Sequence, residues 1–159
     1  MAALGDLYFN GQGVPQTYKR AFQLYQQSRA LGNTDPNLHF NLGLMHEFGH
    51  GVAKDYLEAR RFYSLASGQG DADATEKLSI IDEKIRTECP LLGKRVVITG
   101  TSREDLNGRA GMATSFDQDR GQYVVELDGD AGEKHKVKLK LKPGNLVLVG
   151  MKQRKAQGK

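Results

Sequence analysis

Apolar residues recur three and four positions apart through the first half of this chain and alternate through the second, so the pattern changes from helix to strand near residue 90. Leu38, Leu42 and Met45, with Phe40 and Gly43 beside them, predict a helix over 36–48. Asp35 before Pro36 starts it: a side-chain acceptor for unbonded N–H groups, followed by a residue that has none. Gly49 and Gly51 stop it, because glycine enters the left-handed region without steric cost. Tyr56, Ala59, Phe62, Tyr63 and Ala66 predict the next helix, ended by Gly68 and Gly70. The same reading gives a short helix over 1–9, a glycine turn over 10–14 and a helix over 18–31. A last helix runs over 71–88, with acids in its first turn where they favour the helix dipole. Pro90 closes the helical half. Strands are then predicted over 96–99, 111–116, 122–127, 136–141 and 146–149, separated by Asn-Gly, Asp-Gly and Pro-Gly turns.

The helical half repeats itself. At an offset of 38 residues, Leu4-Gly5 falls on Leu42-Gly43, Gly11-x-Gly13-Val14 on Gly49-x-Gly51-Val52, and Tyr18 on Tyr56. Ala21 meets Ala59, Tyr25 meets Tyr63, Gly32 meets Gly70 and Asp35 meets Asp73. Each unit reads as two helices joined by a glycine turn, with small residues admitting close approach and tyrosines filling the gaps. A single hairpin cannot bury its apolar face, so neighbours stack. These residues resemble the Sel-1-like repeat, a relative of the tetratricopeptide repeat. The resemblance implies a non-catalytic adaptor that holds other proteins together. Three positions depart between the units: His46 stands opposite Tyr8, Arg60 opposite Phe22, and Ser28 opposite Ala66. The first helix is short, and its Leu4, Leu7 and Tyr8 have no preceding helix to cover them, which makes them the expected partner-binding face, for another chain or for sequence upstream of Met1.

Five short strands in the second half favour a small closed or nearly closed barrel, since closure removes exposed edges. Gly93-Lys94-Arg95-Val96-Val97-Ile98, Leu106-Asn107-Gly108-Arg109-Ala110-Gly111, Phe116-Asp117, 122–127 and Lys142-Pro143-Gly144-Asn145-Leu146 resemble a Src homology 3-like barrel, of the kind fused to repeat modules in many eukaryotic proteins. Met112 departs from the valine usual there. The resemblance implies a docking module. Only Phe116 and Tyr123 are available as aromatic lining, which argues against recognition of proline motifs. The expected architecture is therefore an α+β multidomain chain. A helical-repeat solenoid with a capping helix (1–88) precedes a five-stranded antiparallel β-barrel (89–150) and a basic tail (151–159).

Composition changes this picture only through charge. The 159 residues are 26% charged and 38% hydrophobic, and no apolar run approaches the ~20 residues of a membrane span. The start of the sequence lacks the basic and apolar regions of a secretory signal, and one cysteine fits a reducing compartment, so an intracellular location is expected, in the cytoplasm or inside an organelle. Residues 1–133 carry 14 Lys+Arg against 19 Asp+Glu, whereas 134–159 carry nine Lys+Arg and no acid. Alternation places Lys134, Lys136, Lys138, Lys140 and Lys142 on one strand face, with Val137, Leu139 and Leu141 towards the core. Those lysines either guard a strand edge or, with Lys152, Arg154 and Lys155, present a cationic surface to RNA or a ribosome. Lysine without aromatic interleaving would attract a phosphate backbone and leave bases unread. The adaptor reading, within a multi-subunit complex, stands ahead of that alternative.

His46-Glu47-Phe48-Gly49-His50 matches the H-E-x-x-H pattern, in which two histidines one helical turn apart hold zinc and the glutamate polarises water. Here Gly49 and Gly51 belong to the turn between helices, which puts His50 off the helix, so neither metal nor catalysis is expected. Gly11-x-Gly13 and Gly49-x-Gly51 follow helices and lack a third glycine, so they read as turns and no nucleotide cofactor is expected. Asp128, Asp130 and Glu133 are too closely spaced for a calcium loop and read as a solvated turn. Cys89 has no patterned histidine partner and reads as structural.

Overall fold

The computed structural model describes residues 1–129 and 137–149. It divides into two compact units, one spanning Met1–Glu88 and one beginning at Cys89.

The first unit contains α1 (Ala2–Asn10), α2 (Tyr18–Ala30), α3 (Pro36–Phe48), α4 (Tyr56–Ser67) and α5 (Ala72–Glu88). Local chemistry sets the ends. Asp35 accepts the Asn37 N–H at 2.9 Å, and Asp55 accepts those of Leu57 and Glu58 at 2.9 and 3.1 Å. Gly11 and Gly49 end α1 and α3 in the left-handed region, at φ 70° and 74°, each donating its N–H back into the last turn. Helices pair in sequence order, and Ala21, Tyr25, Leu38, Leu42, Met45 and Phe62 form one buried cluster.

Within each hairpin a tyrosine ring lies directly on a glycine of the facing helix. A Cβ at Gly5 would stand 2.6 Å from the Tyr25 ring, and one at Gly43 would stand 2.5 Å from the Tyr63 ring. The repeated glycine is thus the floor under the repeated tyrosine. Ala59 is fully buried in the same seam. Ala59→Leu should overpack it and cost about 1–3 kcal/mol, measured as a lower urea midpoint by far-UV circular dichroism. An unmoved midpoint would place Ala59 outside the seam.

The departures between units each have a local cause. Phe22 meets His46 edge-on at 5.7 Å, whereas its counterpart Arg60 pairs with Asp82 of α5. The Ser28 hydroxyl accepts a hydrogen bond from Asn33 at 2.9 Å, which Ala66 could not do.

The second unit is one antiparallel sheet: β1 (Arg95–Ile98), β2 (Ala110–Asp117), β3 (Gln122–Leu127), β4 (Lys138–Leu141) and β5 (Leu146–Leu148), in the order β4-β3-β2-β1-β5. Tyr123, Val125 and Leu127 alternate inward on β3, facing the same core as Val96 and Ile98 of β1. Gly111 is needed where β2 runs against β3, since a Cβ there would stand 2.5 Å from the Glu126 carbonyl oxygen. Among the described residues the sheet is open: β4 and β5 are its ends, so the closure expected from the strand count is not made by pairing. At three residues the β5 end is short, which limits edge pairing there without closure.

The turn motifs have defined work in this unit. Asn107 accepts the Thr101 N–H at 3.0 Å and donates to its carbonyl at 2.9 Å. Asn145 donates to the Thr99 and Gly100 carbonyls at 3.2 and 3.0 Å. Each asparagine closes a loop that has no ladder of its own.

Candidate protein-interaction surface

The expected partner face lies on α1. Leu4 and Leu7 are 44% and 38% exposed, whereas their counterparts Leu42 and Met45 are at 0%. Tyr8 differs from them: it is half-buried and packs against the core cluster, so it serves the fold first. Burial of the counterparts follows from α2, whose Ala21 and Tyr25 share the cluster with Leu42 and Met45.

The basic strand is described in part. Lys138 and Lys140 are exposed, with Leu139 and Leu141 half-buried on the opposite face of β4. Lys138 lies 3.8 Å from the Glu126 carboxylate across the β3–β4 pair. Lys134, Lys136, Lys152, Arg154 and Lys155 lie outside the described residues, as do Asp130 and Glu133 of the acidic turn. Asp128 of that turn pairs with Arg95 at 2.6 Å.

The H-E-x-x-H residues part company. Helix α3 stops at Phe48, and His50, beyond Gly49, stacks on Tyr18 with ring centroids 4.2 Å apart. His46 is buried against Phe62 at 5.5 Å and Phe22 at 5.7 Å, and its Nδ1 has no hydrogen-bond partner among the described residues. Glu47 turns the other way. Its side chain is 1% exposed, and Lys84 Nζ meets Oε1 at 2.6 Å. The Tyr63 hydroxyl donates to Oε2 at 2.7 Å, with Lys77 Nζ 3.5 Å from the same oxygen. Burial alone would push this carboxyl up, but the hydrogen bonds from Lys84 and Tyr63 and the two lysine charges hold it below the usual carboxylate range. Both oxygens are engaged in structure, and among the described residues no three His, Cys, Asp or Glu side chains converge as a metal site would require.

Sequence reasoning saw Glu47 only as part of the zinc pattern. The signal that it faces inward was its spacing: Glu47 lies one turn after Gly43, on the face that receives Tyr63. The first repeat solves the same problem differently. Tyr25 donates to Asp6 at 2.7 Å, and Asn41 bridges both residues at 3.1 Å. Tyr25 and Tyr63, the two repeated seam tyrosines, therefore each have a carboxylate partner, supplied from a different helical position.

Two histidines make the helical unit sensitive to acid. Burial, then Arg29, hold His39 below the ordinary histidine value, and burial holds His46 below it. The unfolded chain then binds more protons than the folded one as pH falls below about 6.5, and stability falls with it. The urea midpoint should drop between pH 7.5 and 5.5, and His46→Phe, which suits the pocket between Phe22 and Phe62, should flatten that slope. An equal slope in the variant would remove His46 from the account. Glu47, held low, acts in the same direction at lower pH, below the usual carboxylate value.

This paired-hairpin arrangement, with its glycine turns and tyrosine-on-glycine seams, agrees with the family comparison. Residues 1–33 and 36–71 match the Sel1 repeat. Sel1 repeats therefore account for α1–α4, and a five-stranded antiparallel sheet follows them. Among curated proteins, the chain is similar to the ERAD-associated E3 ubiquitin-protein ligase component HRD3A of Arabidopsis thaliana, 38% identical over 71 residues, which is 45% of this chain and 10% of that protein. It is also similar to HRD3B of the same plant, 35% identical over 77 residues, or 48% and 12%. The chain thus spans about a tenth of the length of these relatives. A solved Sel1 repeat protein from Oxalobacter formigenes is 35% identical, covering 49% of this chain and 57% of that one, with a TM-score of 0.44. Nothing in these comparisons supports an RNA partner. Among the described residues, no helix is long and apolar enough to cross a membrane.

Proposed function

We propose that this protein is a non-catalytic adaptor or accessory subunit of a multi-protein assembly, with its Sel1 repeats as the principal contact and its sheet unit as a second docking module of the Src homology 3-like kind. The observation that carries the reading is the exposed α1 face, where Leu4 and Leu7 stand bare at positions that are fully covered in the second repeat. Apolar side chains that a fold buries in one copy and exposes in the other mark a face that takes a neighbour, in a partner or in preceding sequence of the same protein. The relatives support a subunit role, since both are E3 ubiquitin-protein ligase components.

Affinity capture from native extract, quantified by mass spectrometry, tests it with Leu4→Gln/Leu7→Gln as the control. The wild-type bait should hold a partner in fixed stoichiometry that the double variant loses, while both proteins melt alike. A bait that captures nothing above background, from several extracts, would overturn the adaptor reading.

A further inference from the structure

Strand β4 ends the sheet with half of its backbone unpaired. The Leu127 N–H donates to the Val137 carbonyl at 2.9 Å, and the same register sets Val125 opposite Leu139 and Tyr123 opposite Leu141. Bonded and non-bonded pairs alternate along an antiparallel ladder, so Val137, Leu139 and Leu141 turn their polar groups to β3. Lys138 and Lys140 turn theirs away from it, and among the described residues nothing pairs with them. Side chains follow the same alternation. Lys138, Lys140 and Lys142 are exposed on one face, whereas Val137, Leu139 and Leu141 line the other, across from the buried Leu127, Val125 and Tyr123. Glu126 of β3 stands opposite Lys138, its carboxylate 3.8 Å away. Among the described residues no carboxylate pairs with Lys140 or Lys142.

We propose that the β4 edge docks an extended acidic segment of a partner protein, which adds to the sheet as a further strand. This rests on the docking-module reading of the sheet unit and names its contact. The segment runs antiparallel, as each neighbouring pair in this sheet does, and exchanges hydrogen bonds with Lys138 and Lys140 through the residues directly opposite them. Opposed side chains share a face, so those residues are Asp or Glu, and the apolar residues between them extend the face of Val137, Leu139 and Leu141. The pattern that fits alternates acid with apolar. This chain supplies no such strand. Residues 151–159 carry Lys152, Arg154, Lys155 and Lys159 and no acid. Among the described residues, a second copy offers at its sheet ends only β4, with the same lysines, or β5, with no charged residue. Like charges placed opposite each other repel, so the lysines that discourage self-pairing select an acidic strand.

The test titrates the full chain with the end-blocked peptide Glu-Val-Glu-Val-Glu and with its scramble Glu-Glu-Val-Val-Glu, followed through the backbone amides by NMR. The alternating peptide should bind at least tenfold more tightly and slow hydrogen exchange at the Lys138 and Lys140 amides, which face outward. Methylating the glutamate amide nitrogens of the peptide should abolish binding, and methylating the valine nitrogens should not, because only the former face β4. Lys138→Glu/Lys140→Glu should weaken binding at least tenfold and take up Lys-Val-Lys-Val-Lys instead. Lys140→Pro removes one outward N–H without touching the β3 ladder, a change that an edge strand tolerates, and should lose the peptide while melting like the wild type.

Equal affinity for the alternating and scrambled peptides, or equal tolerance of methylation at the two sets of nitrogens, would overturn the proposal in favour of charge attraction alone. Tighter binding of an oligouridylate than of the peptide, undiminished in Lys140→Pro, would overturn it in favour of a phosphate backbone. Should Lys140→Pro fail to fold, the two methylated peptides decide the matter on the wild-type protein. Failure here leaves the Sel1 contact standing, since that contact is tested separately through Leu4 and Leu7.

Discussion

Replacing Glu47 with alanine should destabilise the helical unit by about 2–4 kcal/mol, the largest loss expected from a side-chain truncation here. The carboxylate is a fully buried charge that joins three helices: it lies on α3 and takes its partners from α4 (Tyr63) and α5 (Lys77 and Lys84). Removal strands two ammonium groups and a buried hydroxyl. The lysine side chains are 29% and 32% exposed, so water recovers part of their solvation, which puts the loss below that for a fully buried pair. Glu47→Gln retains the shape and should lose less. Lys84→Met in the Glu47→Ala background should restore stability relative to Glu47→Ala alone, because the stranded charge leaves with it. Urea unfolding followed at helical wavelengths gives the cycle. A loss below ~0.5 kcal/mol in Glu47→Ala, the range of an ordinary surface substitution, would show that the network contributes nothing to folding.

Gly51→Ala and Gly13→Ala should differ widely although the two backbones have the same φ of 73°. Both substitutions force alanine into the left-handed region, at about 1–2 kcal/mol. Only Gly51 also drives its new methyl into the Tyr18–Lys19 backbone, which cannot move aside as a flexible side chain could. That overpacking adds about 1–3 kcal/mol, for a total of about 2–5 kcal/mol at Gly51. Equal midpoints for the two variants would mean that the turn does not press on α2. Since the two substitutions share their backbone conformation, the difference isolates packing between repeats from conformational strain.

Much of the fold was legible from local chemistry. Pro36–Phe48 emerged with the bounds its capping signals predicted, because Asp35, Pro36 and Gly49 each act within a turn of their own position. Strand β3 emerged at Gln122–Leu127 for a similar reason: alternation and the flanking turns are short-range. The turn asparagines, Asn107 and Asn145, could be picked out as motif residues, but the carbonyls they bond could not. In Asn145 the partner loop lies 45 and 46 residues away.

The partner face divides in the same way. The repeat alone set Leu4 and Leu7 opposite Leu42 and Met45, and the structure leaves the first pair exposed and buries the second. Tyr8 was not separable from them in sequence. The ring is tied down by packing on the core cluster, a contact that helical spacing does not reveal.

By itself, the sequence determined the repeat period, the helices and strands, and the glycines at which the backbone turns left-handed. These follow from steric and hydrogen-bonding preferences that act over a few residues. Tertiary structure alone decided that Glu47 is buried under lysines from a helix 30 and more residues later, that the zinc-like pattern is split between a core histidine and a turn histidine, and that, among the described residues, the five strands leave two unpaired ends. Those outcomes depend on which distant groups meet once the hairpins stack and the strands pair. A charge is retained in such an interior only where partners reach it, and the chain pattern gives the position of a charge without the groups that will surround it.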